Sequence, residues 1–572
     1  MSYIDWIVLI LTLIAVIAYG VYKSKSEHSL DGYFKGSNSM SWFIILLSIM
    51  GTQASAITFL SAPGQAYTDG MRFVQYYFGL PFAMVVLCIT FVPMFHKLKV
   101  FTAYEFLEQR FDLRTRAFTS ILFLISRGLS TGISIYAPSI ILSSLLGWNI
   151  YITNVVMGGF LIIYTMTGGA KSVAYTQMQQ LFIVFIGMFL AGYMVVKLLP
   201  DGVGFSDALQ VAGKMGKLNI IETKIDVTDS AWWKDKYNIW SGLIGGFFLA
   251  LSYFGTDQSQ VGRYLTAKNI KESRIGLLMN GLVKVPMQFL ILLIGSLVFV
   301  FYLYYSTPII FNQKLNDKIA EASPQDYAYI MQQQDSLNKL SAIQTKMLTD
   351  AIKANDPISV TQSEIDLHTT TAAKDDLRKK TKGLISRVDP TADTNDTNYI
   401  FLYFVTHHLP KGLIGLLIAV IFLSAWGSIA AALHSLSTSS IIDLYKRMLF
   451  PNKSEIHYYR ASKWATFFWG IFCIATAMFA TKLGSLIEAV NILGSLFYGT
   501  ILGIFVVAFY LKFIKSKAVL IGAIFAELAV IMVYIADWVS FLWLNVIGCL
   551  LVILISALYE KIIPSNNTAS NH

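Results

Sequence analysis

The sequence predicts an all-helical protein that crosses a membrane many times. Of its 572 residues, 55% are hydrophobic and only 14% are charged, whereas soluble globular chains carry about 25% charged residues. Apolar runs of about 20 residues, the length that one helix needs to cross the hydrocarbon core, recur along the whole chain. These observations exclude a soluble enzyme.

Thirteen membrane spans are predicted, and their boundaries are accurate to a few residues. They lie at 4–22, 41–62, 73–95, 117–145, 149–168, 172–199, 238–257, 274–305, 411–442, 459–481, 483–511, 517–536 and 538–559. Lysine and arginine are concentrated in the loops that follow odd-numbered spans, and cytoplasmic loops are the ones that collect these residues. We therefore predict a plasma (inner) membrane protein with its N-terminus outside and its C-terminus in the cytoplasm.

Charge and cysteine content point to no further partner or cofactor. The net charge of +10 is explained by the basic cytoplasmic loops and needs no nucleic-acid partner. Cys88, Cys473 and Cys549 all lie in apolar stretches, so they form neither a disulfide framework nor a metal-binding spacing. From these residues we expect no cofactor.

Residues 307–396 form a polar stretch that interrupts the pattern of spans and falls on the outside. Its mixed charges and scattered leucine and isoleucine residues predict helical hairpins. Two interpretations stay open at this point. The segment is either a solvated insertion or a cap that binds a protein partner or controls access.

The second and seventh spans contain residues that are unusual in lipid-facing helices. Segments 48–64 and 252–260 combine small residues, hydroxyls, amides and helix breakers. An unpaired backbone group in hydrocarbon costs several kcal/mol, so an unwound helix is tolerated only where it is buried or lines a cavity. The two spans are separated by five positions in the order of spans along the chain. This spacing favours two inverted five-helix repeats, each of which begins with a broken helix. The alternative is that both helices are unbroken and that their small residues serve ordinary helix–helix packing.

Ionisable residues inside the spans are candidate functional residues, because charges are costly in the bilayer. They are Arg127, Asp257, Lys284, Glu488 and Glu527. Asp257 and Lys284 lie on consecutive spans and are expected either to pair or to flank a polar ligand. Arg127 either extends to the inner surface or contacts a ligand. Glu527 is expected to have a structural role.

Six short motifs follow one another in a fixed order. They are Asp31-Gly32-Tyr33-Phe34, Ser55-Ala56-Ile57-Thr58-Phe59 and the segments 102–111, 164–169, 260–265 and 415–419. Together they resemble the sodium/solute symporter family, which includes sugar, sialic acid, multivitamin and monocarboxylate cotransporters. The resemblance covers about 30–310 and 397–515 and implies a leucine-transporter-type fold, with two inverted five-helix repeats within about 13 transmembrane helices.

The resemblance also implies a sodium site between the second and ninth spans. Carried over onto this chain, its ligands are the carbonyls of Gly51, Ala54 and Ser424 and the hydroxyl of Ser428, and a further hydroxyl position is occupied by Gly427. Some relatives bind a second sodium with an aspartate and two serines, where this chain has Gln177, Ala430 and Ala431. We therefore predict at most one coupled sodium per cycle.

The substrate-binding residues implied by the resemblance surround the middle of the bundle. They are Gln53, Thr58, Tyr76, Tyr77, Asp257, Lys284 and Asn491, with Arg127 as a further contact. This set suits hydroxyl groups, and Lys284 or Arg127 would neutralise a carboxylate. The implied solute is a sugar, a sugar acid such as sialic acid, or a small organic anion.

Five regions follow from these observations. They are an N-terminal helix and loop (1–30), the first repeat with the start of the second (31–306), the insertion (307–396), the rest of the second repeat (397–515), and two C-terminal helices with a tail (516–572). The predicted function is sodium-coupled import by alternating access, without covalent chemistry. A proton-coupled or uncoupled permease is one alternative, and a membrane sensor or scaffold that uses the insertion is another.

Overall fold

The computed structural model describes residues 1–23, 40–98, 100–167, 170–223, 230–390, 392–480 and 483–563. These residues are mostly helical, and the strand-type pairing among them is one isolated bridge between Met40 and Ala267. The Asp31–Phe34 motif and the glycine pair at 168–169 lie outside the described residues.

The described residues up to Lys214 form ten α-helices and a 3₁₀ segment. The helices are α1 (Tyr3–Lys23), α2 (Trp42–Gln53), α3 (Ala56–Asp69), α4 (Leu80–Ile89), α5 (Phe91–Leu98), α6 (Ala103–Arg110), α7 (Leu113–Leu146), α8 (Ile150–Thr167), α9 (Ala170–Lys197) and α10 (Phe205–Lys214), and the 3₁₀ segment is Gly70–Tyr77.

The described residues from Gly246 onward form twelve further α-helices. They are α11 (Gly246–Thr256), α12 (Gln258–Tyr264), α13 (Ile270–Tyr304), α14 (Gln313–Ala322), α15 (Pro324–Lys353), α16 (Pro357–Val388), α17 (Thr397–His408), α18 (Leu413–Ser439), α19 (Glu455–Met478), α20 (Leu486–Tyr510), α21 (Ser516–Ile535) and α22 (Phe541–Ile562). A π-helical turn, Ser241–Gly245, leads into α11, and another, Ser440–Leu449, extends α18.

The predicted spans coincide with these helices to within a few residues, apart from the interrupted ones. Eight segments of the described chain are long and apolar enough to cross a membrane, and four shorter apolar helices accompany them. The chain is therefore a multi-pass membrane protein, while the count of 13 spans stays a prediction.

The second span is broken, as predicted. Helix α2 ends at Gln53, and α3 starts again after Ala54 and Ser55. Ser55 has extended backbone angles (φ −78°, ψ 174°), so the helical hydrogen-bond ladder is interrupted there. Ala54 still donates its N–H to the carbonyl of Met50, at 2.6 Å.

The seventh span is broken in the same way at Asp257. This residue has extended angles (φ −78°, ψ 118°) and separates α11 from α12. Its carboxylate accepts a hydrogen bond of 2.8 Å from the N–H of Ser259, which satisfies a donor that a helix start otherwise leaves unpaired. Because α12 packs against α2, and both contact α18, the two interruptions face the same part of the bundle.

The polar insertion forms a long helical hairpin, α15 and α16, in agreement with the expectation of helical hairpins. The hairpin is fixed to the end of α13, since the hydroxyl of Ser341 donates to the carbonyl of Leu303 at 3.1 Å. At its base, Arg378 forms an ion pair of 2.5 Å with Asp396, at the start of α17. The hairpin therefore lies directly on one end of the membrane-spanning bundle, the end that we predict to be outside.

Candidate functional site

A cavity of about 100 Å³, lined by polar and aromatic side chains, lies at the break between α2 and α3. Its walls come from the broken segment, the 3₁₀ segment, α7, α11 and α20. The lining residues are Gln53, Ser55, Ile57, Thr58, Tyr76, Tyr77, Arg127, Ser130, Leu249, Tyr253, Ile487, Val490, Asn491, Gly494 and Tyr498.

One wall of the cavity carries amide and phenol groups. The hydroxyl of Tyr76 donates to Oδ1 of Asn491 at 3.1 Å, and the rings of Tyr76 and Tyr77 pack edge to face at 4.6 Å. Oε1 of Gln53 is buried and accepts no hydrogen bond from the residues that the structure describes. Because buried polar groups are almost always paired, Gln53 is ready to accept a hydrogen bond from a ligand.

The other end of the cavity is built on a buried ion pair between Arg127 and Asp257. Nη2 of Arg127 lies close to Oδ2 of Asp257, and Nε donates to the same oxygen at 3.1 Å. Tyr498 donates its hydroxyl to that oxygen at 2.7 Å. The guanidinium also lies 5.3 Å from the ring of Tyr253, where a cation is attracted by the aromatic face.

The position of this ion pair answers two questions that the sequence left open about the charged residues. Arg127 does not extend to the inner surface, because its guanidinium is held at the cavity by Asp257. The suggested pair between Asp257 and Lys284 is not formed. Asp257 pairs instead with Arg127, which is on α7, whereas Lys284 is on α13. Asp257 itself lies behind Arg127 and does not line the cavity.

Lys284 lies outside the cavity lining, on α13 behind Tyr77. Its side chain is fully buried, and Nζ has no hydrogen-bond partner within the described part of the chain. The ammonium lies 5.5 Å from the centroid of the Tyr77 ring. A direct contact between Lys284 and solute therefore requires Tyr77 to move.

The remaining acidic residues of the spans do not line this cavity. Glu488 pairs with Lys236 at 2.9 Å and accepts a hydrogen bond from Tyr237 at 3.1 Å. Glu527 is buried on α21.

The four residues implied as sodium ligands are all buried where α2 and α18 pack together. Gly51 is in the last turn of α2, Ala54 is in the break, and Ser424 and Ser428 are one turn apart on α18. The hydroxyl of Ser428 donates to the carbonyl of Ser424 at 2.9 Å, which leaves its oxygen available as an acceptor or ligand. Carbonyl and hydroxyl oxygens are ligands that suit a hard cation, and the sodium site itself stays a prediction.

Gln177 fills the space beside these residues and is fully hydrogen-bonded. Its Oε1 accepts from the hydroxyl of Ser48 at 2.7 Å, and its Nε2 donates to the hydroxyl of Thr52 at 3.0 Å and to the carbonyl of Gly427 at 2.9 Å. Thr52 also donates to the carbonyl of Ser48. The hydroxyl of Thr52 therefore already forms two hydrogen bonds within the protein.

Gly427 leaves room for the side chains of this amide network. A Cβ at this position would lie 2.3 Å from Oε1 of Gln180 and 3.3 Å from the Gln177 side chain. The absence of a side chain at Gly427 thus leaves space for the Gln177 and Gln180 side chains of α9 beside α18.

Six of the eight implied substrate residues line one cavity: Gln53, Thr58, Tyr76, Tyr77, Arg127 and Asn491. The sequence analysis missed Ser130, Tyr253 and Tyr498. Helical spacing would have found them, because Ser130 is one turn from Arg127, Tyr253 one turn from Asp257 and Tyr498 two turns from Asn491, and such residues share a helix face.

One protein family is matched over most of the chain. The family model described as "Sodium:solute symporter family" matches residues 33–334 and 387–526. The residues between the two matched segments, 335–386, make up most of α15 and α16.

Two curated relatives are similar over most of the chain. The sodium/sialic acid symporter SiaT of Proteus mirabilis is 25% identical over 564 residues, which cover 97% of this chain and 94% of the relative. The sodium-dependent multivitamin transporter of Oryctolagus cuniculus is 25% identical over 531 residues, which cover 91% of this chain and 68% of the relative.

A solved structure has the same fold. The substrate-bound, outward-open structure of a Na⁺-coupled sialic acid symporter superposes with a TM-score of 0.74 at 24% identity and covers 98% of both chains. This likeness establishes the leucine-transporter-type architecture.

Proposed function

Since the chain belongs to the sodium:solute symporter family, we propose that it couples the movement of a small polar solute to that of sodium. The observation that carries this proposal is the polar cavity at the break of α2 and α3, with the second break, at Asp257, immediately behind it. Interrupted helices offer free backbone and polar groups in the middle of a membrane protein, which is where secondary transporters bind their solutes.

The lining favours a solute that carries hydroxyl groups together with a carboxylate. Amide and hydroxyl groups of Gln53, Thr58 and Asn491 suit sugar-like hydroxyls, and Tyr76 and Tyr77 offer aromatic faces. Arg127 is the one charged side chain among the lining residues that the structure describes, and its guanidinium geometry suits a carboxylate. A sugar acid or small hydroxylated organic anion therefore fits better than a neutral sugar.

We propose one sodium per transport cycle, bound by Gly51, Ala54, Ser424 and Ser428. Sodium at this position would join α2 to α18 and favour the conformation in which solute binds. Gln177 supports the single-ion proposal, because a neutral amide with all its partners satisfied offers neither charge nor free oxygen to a second ion.

Solute and sodium would then cross together by alternating access, with α2, α3, α11 and α12 moving relative to the surrounding helices. The free energy comes from the sodium gradient, so we propose no covalent chemistry and no cofactor. Import into the cell requires the orientation predicted from the loop charges, with the hairpin outside and the C-terminus in the cytoplasm.

Uptake by proteoliposomes tests these proposals. We expect labelled N-acetylneuraminate or lactate to accumulate faster with an inward sodium gradient than with choline, and glucose to accumulate poorly. Asn491→Ala should lower uptake about tenfold, the effect of losing one or two ligand hydrogen bonds, whereas the exposed Asn219→Ala should not.

Two results would overturn parts of the proposal. Uptake that survives sodium removal but collapses with a protonophore would indicate proton coupling. Parallel measurement of ²²Na⁺ and solute fluxes should give a ratio near one, and a ratio near two would exclude the single-ion site.

A further inference from the structure

A second cavity, of about 250 Å³, lies between the α15–α16 hairpin and the membrane-spanning bundle. Its floor is formed by the last turn of α3, with Tyr67 and Thr68, and by the end of α13, with Tyr302. Its roof comes from the hairpin. The two cavities share no lining residue, so this one is a separate compartment.

The lining of this hairpin cavity is predominantly basic. Lys217, Lys374 and Arg378 face it, against one carboxylate, Asp375. Arg378 is already paired with Asp396 at 2.5 Å, and Lys217 donates to the carbonyl of Thr68 at 2.5 Å. Lys374 forms no ion pair within the described ranges, although burial lowers the pKa of its ammonium to about 8.

Two buried polar atoms in the lining lack a partner among the described residues. They are the hydroxyl of Tyr302, whose side chain is 1% exposed, and Oε1 of Gln334, which is 3% exposed. Nε2 of Gln334 donates to the carbonyl of Thr307 at 2.9 Å, which fixes Oε1 as the acceptor atom. Because such atoms are rarely left unpaired, they indicate a ligand that both accepts and donates hydrogen bonds.

We propose that the hairpin cavity binds a small hydroxylated carboxylate. The carboxylate is held by Lys374 and Lys217 and accepts a hydrogen bond from Tyr302, while a hydroxyl of the ligand donates to Gln334. Neither ammonium forms an ion pair within the described residues, although the carboxylates of Asp375 and Asp69 lie near them. A ligand carboxylate would supply this ion pair, and charge-assisted hydrogen bonds are the strong ones.

This binding needs neither sodium nor the central cavity, because no residue implied in the sodium site lines the hairpin cavity. The ligand is either the transported solute before it reaches the central cavity, which rests on the proposed function, or a separate anion that affects transport. A bound ligand contacts both the hairpin and the end of α3, so it joins the insertion to one of the two broken helices.

Equilibrium dialysis of the purified full-length protein with ¹⁴C-lactate or ¹⁴C-gluconate, in sodium-free buffer, tests the site. Lys374→Gln should weaken binding of at least one probe by about tenfold or more, the loss of one charge-assisted hydrogen bond. Lys374→Arg should restore most of the affinity. The control, Lys379→Gln, changes an exposed lysine of the same helix that does not line the cavity and should leave binding unchanged.

The experiment separates this site from the central one. Binding should persist in Asn491→Ala, which alters the central cavity alone. If neither probe binds the wild-type protein, if Lys374→Gln binds as well as wild type, or if Asn491→Ala abolishes binding, the hairpin site is refuted, whatever the uptake experiment shows. Displacement of the bound probe by the transported solute assigns the site to that solute, and failure to displace it assigns the site to a separate anion.

Discussion

Asp257 performs two tasks that depend on each other. It caps the start of α12 with one carboxylate oxygen and receives Arg127 and Tyr498 on the other. Its side chain is fully buried, and a buried carboxylate is stable only when it is paired and hydrogen-bonded. The broken helix therefore depends on a guanidinium that comes from α7, 130 residues earlier in the chain.

Removing Arg127 alone should be more harmful to stability than removing the whole pair. Arg127→Leu leaves Asp257 buried without its cation, and breaking one side of a buried pair costs about 3–5 kcal/mol. We expect a clear fall in the thermal unfolding temperature in detergent for Arg127→Leu, and a partial recovery in Arg127→Leu/Asp257→Asn, which has no unpaired charge. Both variants should lose uptake. A double variant less stable than the single one would contradict this interpretation.

Lys374 makes binding in the hairpin cavity dependent on pH. Burial lowers the pKa of Lys374 to about 8 and also lowers that of Lys217, and the protonated forms are the ones that attract an anion. The charged and titratable groups around the two lysines are Asp69, Asp375 and Arg378, with the hydroxyls of Tyr67 and Tyr302 in the same lining.

Lactate or gluconate affinity should therefore fall as the pH rises from 7 to 9. Lys374 is mostly protonated below its pKa and loses its positive charge as the pH rises above that value. The anion is therefore bound more weakly at higher pH. In Lys374→Arg the guanidinium stays protonated, so the decline should be shallower. Dialysis at three pH values measures both, and identical pH profiles for the two proteins would contradict the role given to Lys374.

At the scale of the helices, α3 is held unusually close to α13. A Cβ added to Gly295 would lie 2.1 Å from the carbonyl oxygen of Pro63, a contact with backbone rather than with a flexible side chain. The glycine thus sets the distance between the broken helix and its neighbour.

Gly295→Ala should force α3 and α13 apart. Overpacking of this kind costs about 1–3 kcal/mol, so we expect a lower unfolding temperature and slower uptake. Gly159→Ala is the matched control, because a Cβ there meets nothing within 4 Å. Equal behaviour of the two variants in thermal unfolding and uptake would show that α3 has room to move.

The sequence was sufficient to predict where the helices break but not which side chains meet at the breaks. Small residues, hydroxyls and amides in 48–64 and 252–260 disfavour an unbroken apolar helix, and that local signal predicted both interruptions. The pairing of Asp257 with Arg127 depends on how α7 and α11 are rotated relative to each other. Rotation is set by packing between distant segments, so the alternative partner, Lys284, was equally compatible with the sequence.

At the scale of the whole molecule, most of the hairpin is an addition to the part of the chain that the family model matches, although its Leu348 and Leu367 pack into the main hydrophobic core. The family model omits 335–386, and both helix breaks, the central cavity and the implied sodium ligands lie outside that range. Ile309, Ile330, Leu377 and Ile385 belong to a small hydrophobic cluster at the base of the insertion that is separate from the main core. Transport should therefore tolerate a shorter hairpin.

Replacing residues 340–370 with a short glycine-serine turn tests this separation. The change removes the contact of Ser341 with Leu303 and that of Thr349 with Tyr304, so the unfolding temperature should fall, while Gln334, Lys374 and the cluster at the base remain. Because the sodium and solute residues are untouched, uptake should stay sodium-dependent and within a fewfold of wild type. If a truncated protein that is still stabilised by sodium had lost all uptake, the hairpin would be part of the transport machinery rather than an addition to it.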